Sequence, residues 1–255
     1  MKNWLQRTKM LVGEDAVNSL AERTVALFGV GGVGGYVAEV LARSGVGSIM
    51  LIDPDSVSET NINRQIVATT ATVGCLKVDV MKRRIMEINP QCRITTFPLF
   101  YLPENAHEIP LYTADYVVDC IDTVTAKIEI IKRCHALGIP VITCLGAANK
   151  LDATAFRVAD LFTTKMDPLA RVMRKKLRQA GITSVKCVYS EEQPIKPTPL
   201  ADDDDLPNRP TDTAGPRPKR VTPASNAFVP AAEGIIAAGQ VIRDLIAAPT
   251  PSHNH

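Results

Sequence analysis

The sequence predicts an α/β protein: a Rossmann-like, mostly parallel sheet with helices on both faces, followed by a C-terminal extension with extra strands and a basic helix. Three observations carry this. Short apolar runs alternate with segments of helical period up to about residue 150. A glycine-rich turn, Gly29-Val30-Gly31-Gly32-Val33-Gly34, joins the first such run to the helix after it. The next run, Ser48 to Ile52, ends at an acid, Asp53.

The elements follow in order. Residues 3–22 read as a helix. Val25 to Val30 is a buried strand closed by the glycine turn, Gly34 to Ala42 a helix stopped near Gly45, and Ser48 to Asp53 a strand. Leu76 to Ile88 is helical up to Asn89-Pro90, and Cys92 to Phe97 is a strand. Tyr116 to Asp119 is a strand, Thr125 to Leu137 a helix, and Val141 to Thr143 a strand. These make a core domain over 1–150. The extension over 151–255 holds strands at Phe156 to Ala159 and Val185 to Tyr189, with a helix over 168–180 between them. The proline-rich segment 191–223, with its acidic run Asp202 to Asp205, buries little surface and is expected to be a mobile loop. A last helix over 231–247 is expected to dock on the core through Ile235, Ile242 and Leu245.

With 255 residues and 45% apolar composition, the chain can build a full core without disulfides. A net charge of +2 selects no partner class, so any nucleic-acid contact must be local. None of the six cysteines forms a C-x-x-C pair, which argues against a structural zinc site and for free, buried thiols in a reducing cytosol. The N-terminus is broken by Lys2, Arg7 and Lys9, so no signal core is expected. The low-charge stretch Phe228 to Ile242 is too short and polar for a membrane span, and peripheral association stays open.

In the glycine loop, Gly29-x-Gly31-x-x-Gly34 lets the backbone approach a phosphate at a helix N-terminus. Asp53, 19 residues after Gly34, is placed for a ribose. The loop alone does not choose between a dinucleotide and ATP. Three features favour ATP with Mg²⁺. Asn61, Arg64 and Gln65 follow Asp53 and Asp55 closely, and arginine offers a planar fork for phosphate oxygens. Lys77 at a helix start can act as a phosphate point charge, although alone it reads as a surface lysine. Asp122 lies beyond a strand's carboxyl end and can hold Mg²⁺ through one carboxylate, although alone it also reads as a helix cap.

As a set, the glycine loop, Asp53, Asp55, Asn61 to Gln65, Lys77 and Asp119-x-x-Asp122 resemble the ubiquitin-activating-like (ThiF/MoeB-type) adenylating enzymes from Gly29 to about Gly146. The resemblance implies that Asp53 binds ribose, that Asn61, Arg64 and Lys77 hold phosphates, and that Asp122 binds Mg²⁺. It also implies a homodimer in which Arg7, within Arg7-Thr8-x-x-Leu11-x-Gly13, reaches the partner subunit's phosphates.

Within that superfamily the chain looks closer to the bacterial tRNA threonylcarbamoyladenosine dehydratases. Glu87 to Arg93, Asp160-Leu161, Lys165 to Lys176, Cys187 to Ser190 and Ala227 to Pro230 carry the resemblance. It implies that the threonine carboxylate of the modified adenosine attacks the ATP α-phosphate. The carbamoyl nitrogen then closes a hydantoin ring as AMP leaves. It also implies an association with sulfur-relay protein partners, which draws attention to Cys187, although the ring closure requires no protein nucleophile and a structural cysteine is the preferred reading.

The residues themselves support an RNA partner. Asp167-Pro168 is a good helix start. In that helix Leu169, Val172, Met173 and Leu177 share one face, and Arg171, Arg174, Lys175 and Arg178 lie opposite. With Lys165 they form a basic strip suited to a phosphate backbone. Three other readings remain: an adenylating enzyme for a ubiquitin-like sulfur carrier, an NAD-dependent oxidoreductase, and a non-catalytic RNA-binding scaffold.

Overall fold

The computed structural model describes residues 4–165, 167–198 and 223–248. The central part of the expected loop, 199–222, and with it the acidic run, lies outside the described residues.

The N-terminal segment forms two helices, α1 (Gln6–Val12) and α2 (Glu14–Glu22), rather than the single one expected. Gly13 breaks it, with φ 90° and ψ 161°. The core follows as β1 (Thr24–Phe28), α3 (Gly34–Arg43), β2 (Ser48–Ile52), α4 (Lys77–Ile88), β3 (Arg93–Phe97), β4 (Tyr116–Asp119), α5 (Val124–Leu137) and β5 (Val141–Cys144). After it come β6 (Phe156–Asp160), α6 (Pro168–Gln179), β7 (Lys186–Ser190) and α7 (Val229–Ala247).

All seven strands join one sheet in the order β3-β2-β1-β4-β5-β7-β6. Every neighbouring pair is parallel except β6 with β7. Strand alternation explains the two-sided packing. Val25 and Leu27 of β1, with Ile49 and Leu51 of β2, enter a core shared with α3, α4 and α7. Ala26 and Phe28, with Met50 and Ile52, enter a second core shared with α5. Helix α6 covers the far end of the sheet through Ala170, Met173 and Leu177, packed with Cys187 and Tyr189.

Helix α7 docks differently from expectation. Leu245 is buried and Ile242 packs partly, but Ile235 is 49% exposed. The row that faces the sheet is Val229, Glu233, Ala237, Val241 and Leu245. Ile235 stands two residues from Glu233, about 200° around the helix. At its C-terminal end α7 is tied down by Asp244, whose Oδ2 accepts from Tyr116 Oη at 2.6 Å and from Lys186 Nζ at 2.5 Å.

Candidate nucleotide-binding site

The glycine loop sits at the carboxyl end of β1. Gly29 has φ 87°, and a Cβ there would lie 2.9 Å from the Cys120 carbonyl oxygen. A Cβ on Gly34 would lie 1.8 Å from Gly29 O, so only glycine lets the loop close onto the helix. Within the turn, Val30 N donates to Asp53 Oδ2 at 2.7 Å. The other Asp53 oxygen accepts from Asp55 N at 2.9 Å. Burial pushes the Asp53 carboxyl up, against the pull of Lys77 and of the two amides.

Lys77 is not the surface lysine it resembles in isolation. It is 3% exposed and reaches Asp55 Oδ2 at 2.8 Å. Asn61 is also buried; its side-chain oxygen accepts from Ser58 N at 3.1 Å and closes a short 3₁₀ turn. That turn aims the next residues at the loop. Arg64 Cγ lies 3.5 Å from where a Cβ on Gly32 would stand, and Gln65 Nε2 3.7 Å from one on Gly31. Arg64 Nη1 donates to Thr60 O at 3.0 Å and to Asn63 Oδ1 at 2.9 Å. Gln65 Oε1 is buried without a hydrogen-bond partner. A buried polar atom of this kind, beside a turn built for a phosphate, fits a nucleotide that brings its own polar groups.

Asp122 is exposed beyond the carboxyl end of β4. It is not the cap of α5: Thr123 takes that position, with no side-chain cap bond. A single exposed carboxylate suits Mg²⁺, which usually keeps water and substrate phosphates as its other ligands. No group of three or more His, Cys, Asp or Glu able to hold a metal occurs among the described residues.

Two charged side chains near this edge escaped sequence reasoning. Lys127 is buried in α5 and donates to Asp119 Oδ2 (3.0 Å), Thr143 Oγ1 (3.2 Å) and Cys144 O (2.7 Å). Glu233 is buried in α7; its Oε1 accepts from Gly146 N at 3.2 Å, while Oε2 has no partner. Burial pushes its carboxyl up to about 7. Glu233 and Lys127 read as ordinary helix positions; the only sequence signal was a charge on an otherwise apolar face.

The basic strip is narrower than expected. Asp167 caps α6 as predicted, accepting from Ala170 N at 2.9 Å. Arg171, Lys175 and Arg178 are exposed, as is Lys165 nearby. Arg174, however, folds back: its Nη1 donates to Thr164 Oγ1 (2.5 Å), Thr164 O (3.1 Å) and Leu161 O (3.2 Å). Val172 is 45% exposed rather than on the docked face, because Ala170, Met173 and Leu177 set the buried row. Arg178 also lies over the Phe162 ring, 5.3 Å from its centre. Arg7 is exposed on α1, a helix with no buried residue. All six cysteines are free; Cys75 and Cys120 are half-buried and the other four buried.

The ThiF family model matches residues 5–251. The tRNA threonylcarbamoyladenosine dehydratase of Bacillus subtilis is 43% identical over 247 residues, 96% of each chain. The molybdopterin-synthase adenylyltransferase of Escherichia coli is 31% identical over 175 residues, 68% of this chain and 67% of its own. Among solved structures, the E. coli tRNA N6-threonylcarbamoyladenosine dehydratase in complex with ATP superposes with a TM-score of 0.81 at 34% identity, covering 97% of this chain and 96% of that one. No described helix is long and apolar enough to cross a membrane.

Proposed function

The chain belongs to the ThiF family, and from that footing we propose that it is an ATP-dependent tRNA threonylcarbamoyladenosine dehydratase. The observation that carries this reading is the 43% identity to the B. subtilis dehydratase over 96% of both chains. The site geometry agrees with the chemistry. The loop amides and the α3 N-terminus receive phosphate oxygens. Asp53, whose oxygens keep lone pairs after accepting from Val30 and Asp55, takes a ribose hydroxyl. Arg64, beside Gly32, and Lys77 supply positive charge, with Asn61 and Gln65 as polar neighbours. Asp55 shares Lys77 until phosphate competes for it.

Mg²⁺, held through Asp122, would neutralise phosphate charge. In a homodimer, Arg7 of a second copy adds a cation. The remaining chemistry is positional. The threonyl carboxylate attacks the α-phosphate and pyrophosphate leaves; the carbamoyl nitrogen then attacks the activated carbonyl and AMP leaves. The net loss is one water, and no protein nucleophile is required. The exposed cations of α6 hold the tRNA backbone.

The test is direct. The protein is incubated with ATP, Mg²⁺ and tRNA bearing threonylcarbamoyladenosine, and nucleosides are analysed by mass spectrometry at mild pH. Loss of one water with appearance of AMP is expected. An unchanged nucleoside at saturating enzyme sinks the reading. Arg64→Ala and Asp122→Ala should each abolish AMP formation, and near-normal turnover in either overturns the site assignment.

A further inference from the structure

Beyond the phosphate cluster, three stretches of chain converge on Asn149. Its φ is 60°, and among the described residues it alone, apart from glycines, has a positive φ. An L-residue is held in that conformation by its surroundings. Here Asn149 N donates to Ala224 O at 2.8 Å, and Ala224 N donates back to Asn149 Oδ1 at 2.8 Å. Asn149 O accepts from Ile195 N at 2.7 Å. The next residue continues the pattern: Lys150 O accepts from Asn226 Nδ2 at 2.8 Å. Residues 149–151, 195–198 and 224–226 are thereby joined into the wall of a cavity of about 240 Å³, lined in part by Lys150, Leu151, Lys196, Thr198, Ser225 and Asn226.

This cavity adjoins the phosphate cluster. Ser225 O in its wall accepts from Asn63 Nδ2 at 3.3 Å, and Asn63 Oδ1 accepts from Arg64 Nη1 at 2.9 Å. Arg64 in turn packs against Gly32 of the loop. The wall segment Asn149-Lys150 also follows β5 at the carboxyl edge of the sheet, where the glycine loop follows β1. Of the two lysines that line it, Lys150 is buried with its Nζ donating to Gly146 O at 2.8 Å, so Lys196 supplies the exposed charge at the rim. Leu151 is 62% exposed and Ile195 46%, so apolar surface stands at the mouth. The volume falls below the ~300–1,000 Å³ of pockets that enclose drug-sized ligands. It suits one flat ring or a short acyl arm rather than a whole nucleotide.

We propose that this cavity receives the base of the modified nucleoside, extruded from the anticodon loop, with the ring against Leu151 and Ile195 and the carboxylate of its acyl arm turned out of the cavity toward Arg64. The assignment rests on the dehydratase reading. It separates two tasks: α6 holds the RNA backbone without regard to modification, and the Asn149 cavity selects the reacting base. Extrusion into a fitted pocket is the general solution for chemistry on a base. Lys196 at the rim favours a ligand that carries a carboxylate, which only the modified base brings.

The experiment fills the cavity from its mouth with Leu151→Trp and reverses its charge with Lys196→Glu, both at exposed positions. For each variant, ATP affinity is measured by equilibrium binding, KM and kcat on modified tRNA by AMP release, and inhibition by unmodified tRNA. Expected are an unchanged ATP affinity and an unchanged inhibition constant for unmodified tRNA, with KM for modified tRNA raised tenfold or more. Wild-type KM in both variants, with wild-type enzyme active, overturns the cavity assignment and leaves the dehydratase reading intact. Equal weakening of modified and unmodified tRNA also overturns it, since the cavity would then read backbone. Wild-type enzyme that transfers the adenylyl group of ATP to a carrier-protein C-terminus, with pyrophosphate leaving, and never alters tRNA overturns both.

Discussion

Lys127 Nζ stands 3.0 Å from Asp119 Oδ2, with side-chain exposures of 1% and 0%. Burial pushes the Lys127 ammonium down, but the Asp119 carboxylate outweighs it and holds the pKa above its ordinary value. The other Asp119 oxygen accepts from Ile121 N at 3.3 Å, so the pair braces the turn that ends in Asp122. Removing only the cation leaves a buried, unpaired carboxylate. Lys127→Met should therefore lose about 3–5 kcal/mol of stability, and Lys127→Met with Asp119→Leu should recover much of it. Urea unfolding of the three proteins checks this; a single variant within 1 kcal/mol of wild type, roughly the range of an ordinary surface change, contradicts it.

That pair also marks the limit of what the sequence disclosed. The glycine loop, the order of strands and helices and the Asp167 cap were legible because each depends on local chemistry: a turn only glycine can make, a period of two or 3.6, an acid before a proline. Asp53, Asn61 and Arg64 were legible because they follow the loop closely in sequence. Lys127 was not, because its partners Thr143 and Cys144 belong to the next strand. Arg174 was misplaced for the same reason: a helical wheel cannot show that Thr164 and Leu161 wait on the flank. Ile235 failed on phase, since hydrophobicity alone ranked it above the buried Ala237 and above Gly234, whose missing side chain lets α7 approach Val33 closely.

Glu233 should make stability depend on pH in an unusual direction. Its carboxyl is fully buried and pushed up to about 7 from 4.5 by burial, opposed by the Gly146 amide, Lys150 and Lys127 and reinforced by Asp167. The folded protein thus binds a proton there that the unfolded chain gives up above pH ~4.5. Its contribution is favourable to folding at low pH and is lost as pH rises from about 4.5 to about 7. Glu233→Gln should flatten that slope and gain on the order of 2–3 kcal/mol at pH 8 relative to wild type. Chemical denaturation at a series of pH values reads it out, and parallel curves for the two proteins refute it.

The α6 cations should divide by function. Arg171 and Lys175 are exposed, whereas Arg174 is committed to Thr164 and Leu161. Arg171→Ala with Lys175→Ala should weaken tRNA binding and reduce the slope of log affinity against log salt by about two, one per lost phosphate contact. Arg174→Ala should instead lower thermal stability by about 1–3 kcal/mol through the carbonyls it strands, with a smaller change in salt slope. If Arg174→Ala alters the slope as much as the double variant, its bonds to Thr164 do not persist in solution.

Cys187 should be dispensable. It lies on β7 between β5 and β6, fully buried, and burial first and then Asp160 push its thiol up to about 12. A nucleophilic or sulfur-accepting cysteine needs access and a thiolate, and this one has neither. Native protein treated with a thiol-specific reagent should be labelled at the half-buried Cys75 and Cys120 before Cys187. Cys187→Ala removes one sulfur atom from a packed strand, a change of about 1 kcal/mol, with AMP formation within about twofold of wild type. A persistent covalent intermediate on Cys187 would instead require that the same variant lose about a hundredfold or more in kcat, the scale on which an obligatory catalytic group is felt. Comparing labelling order with the turnover of this variant separates a thiol that packs from one that reacts.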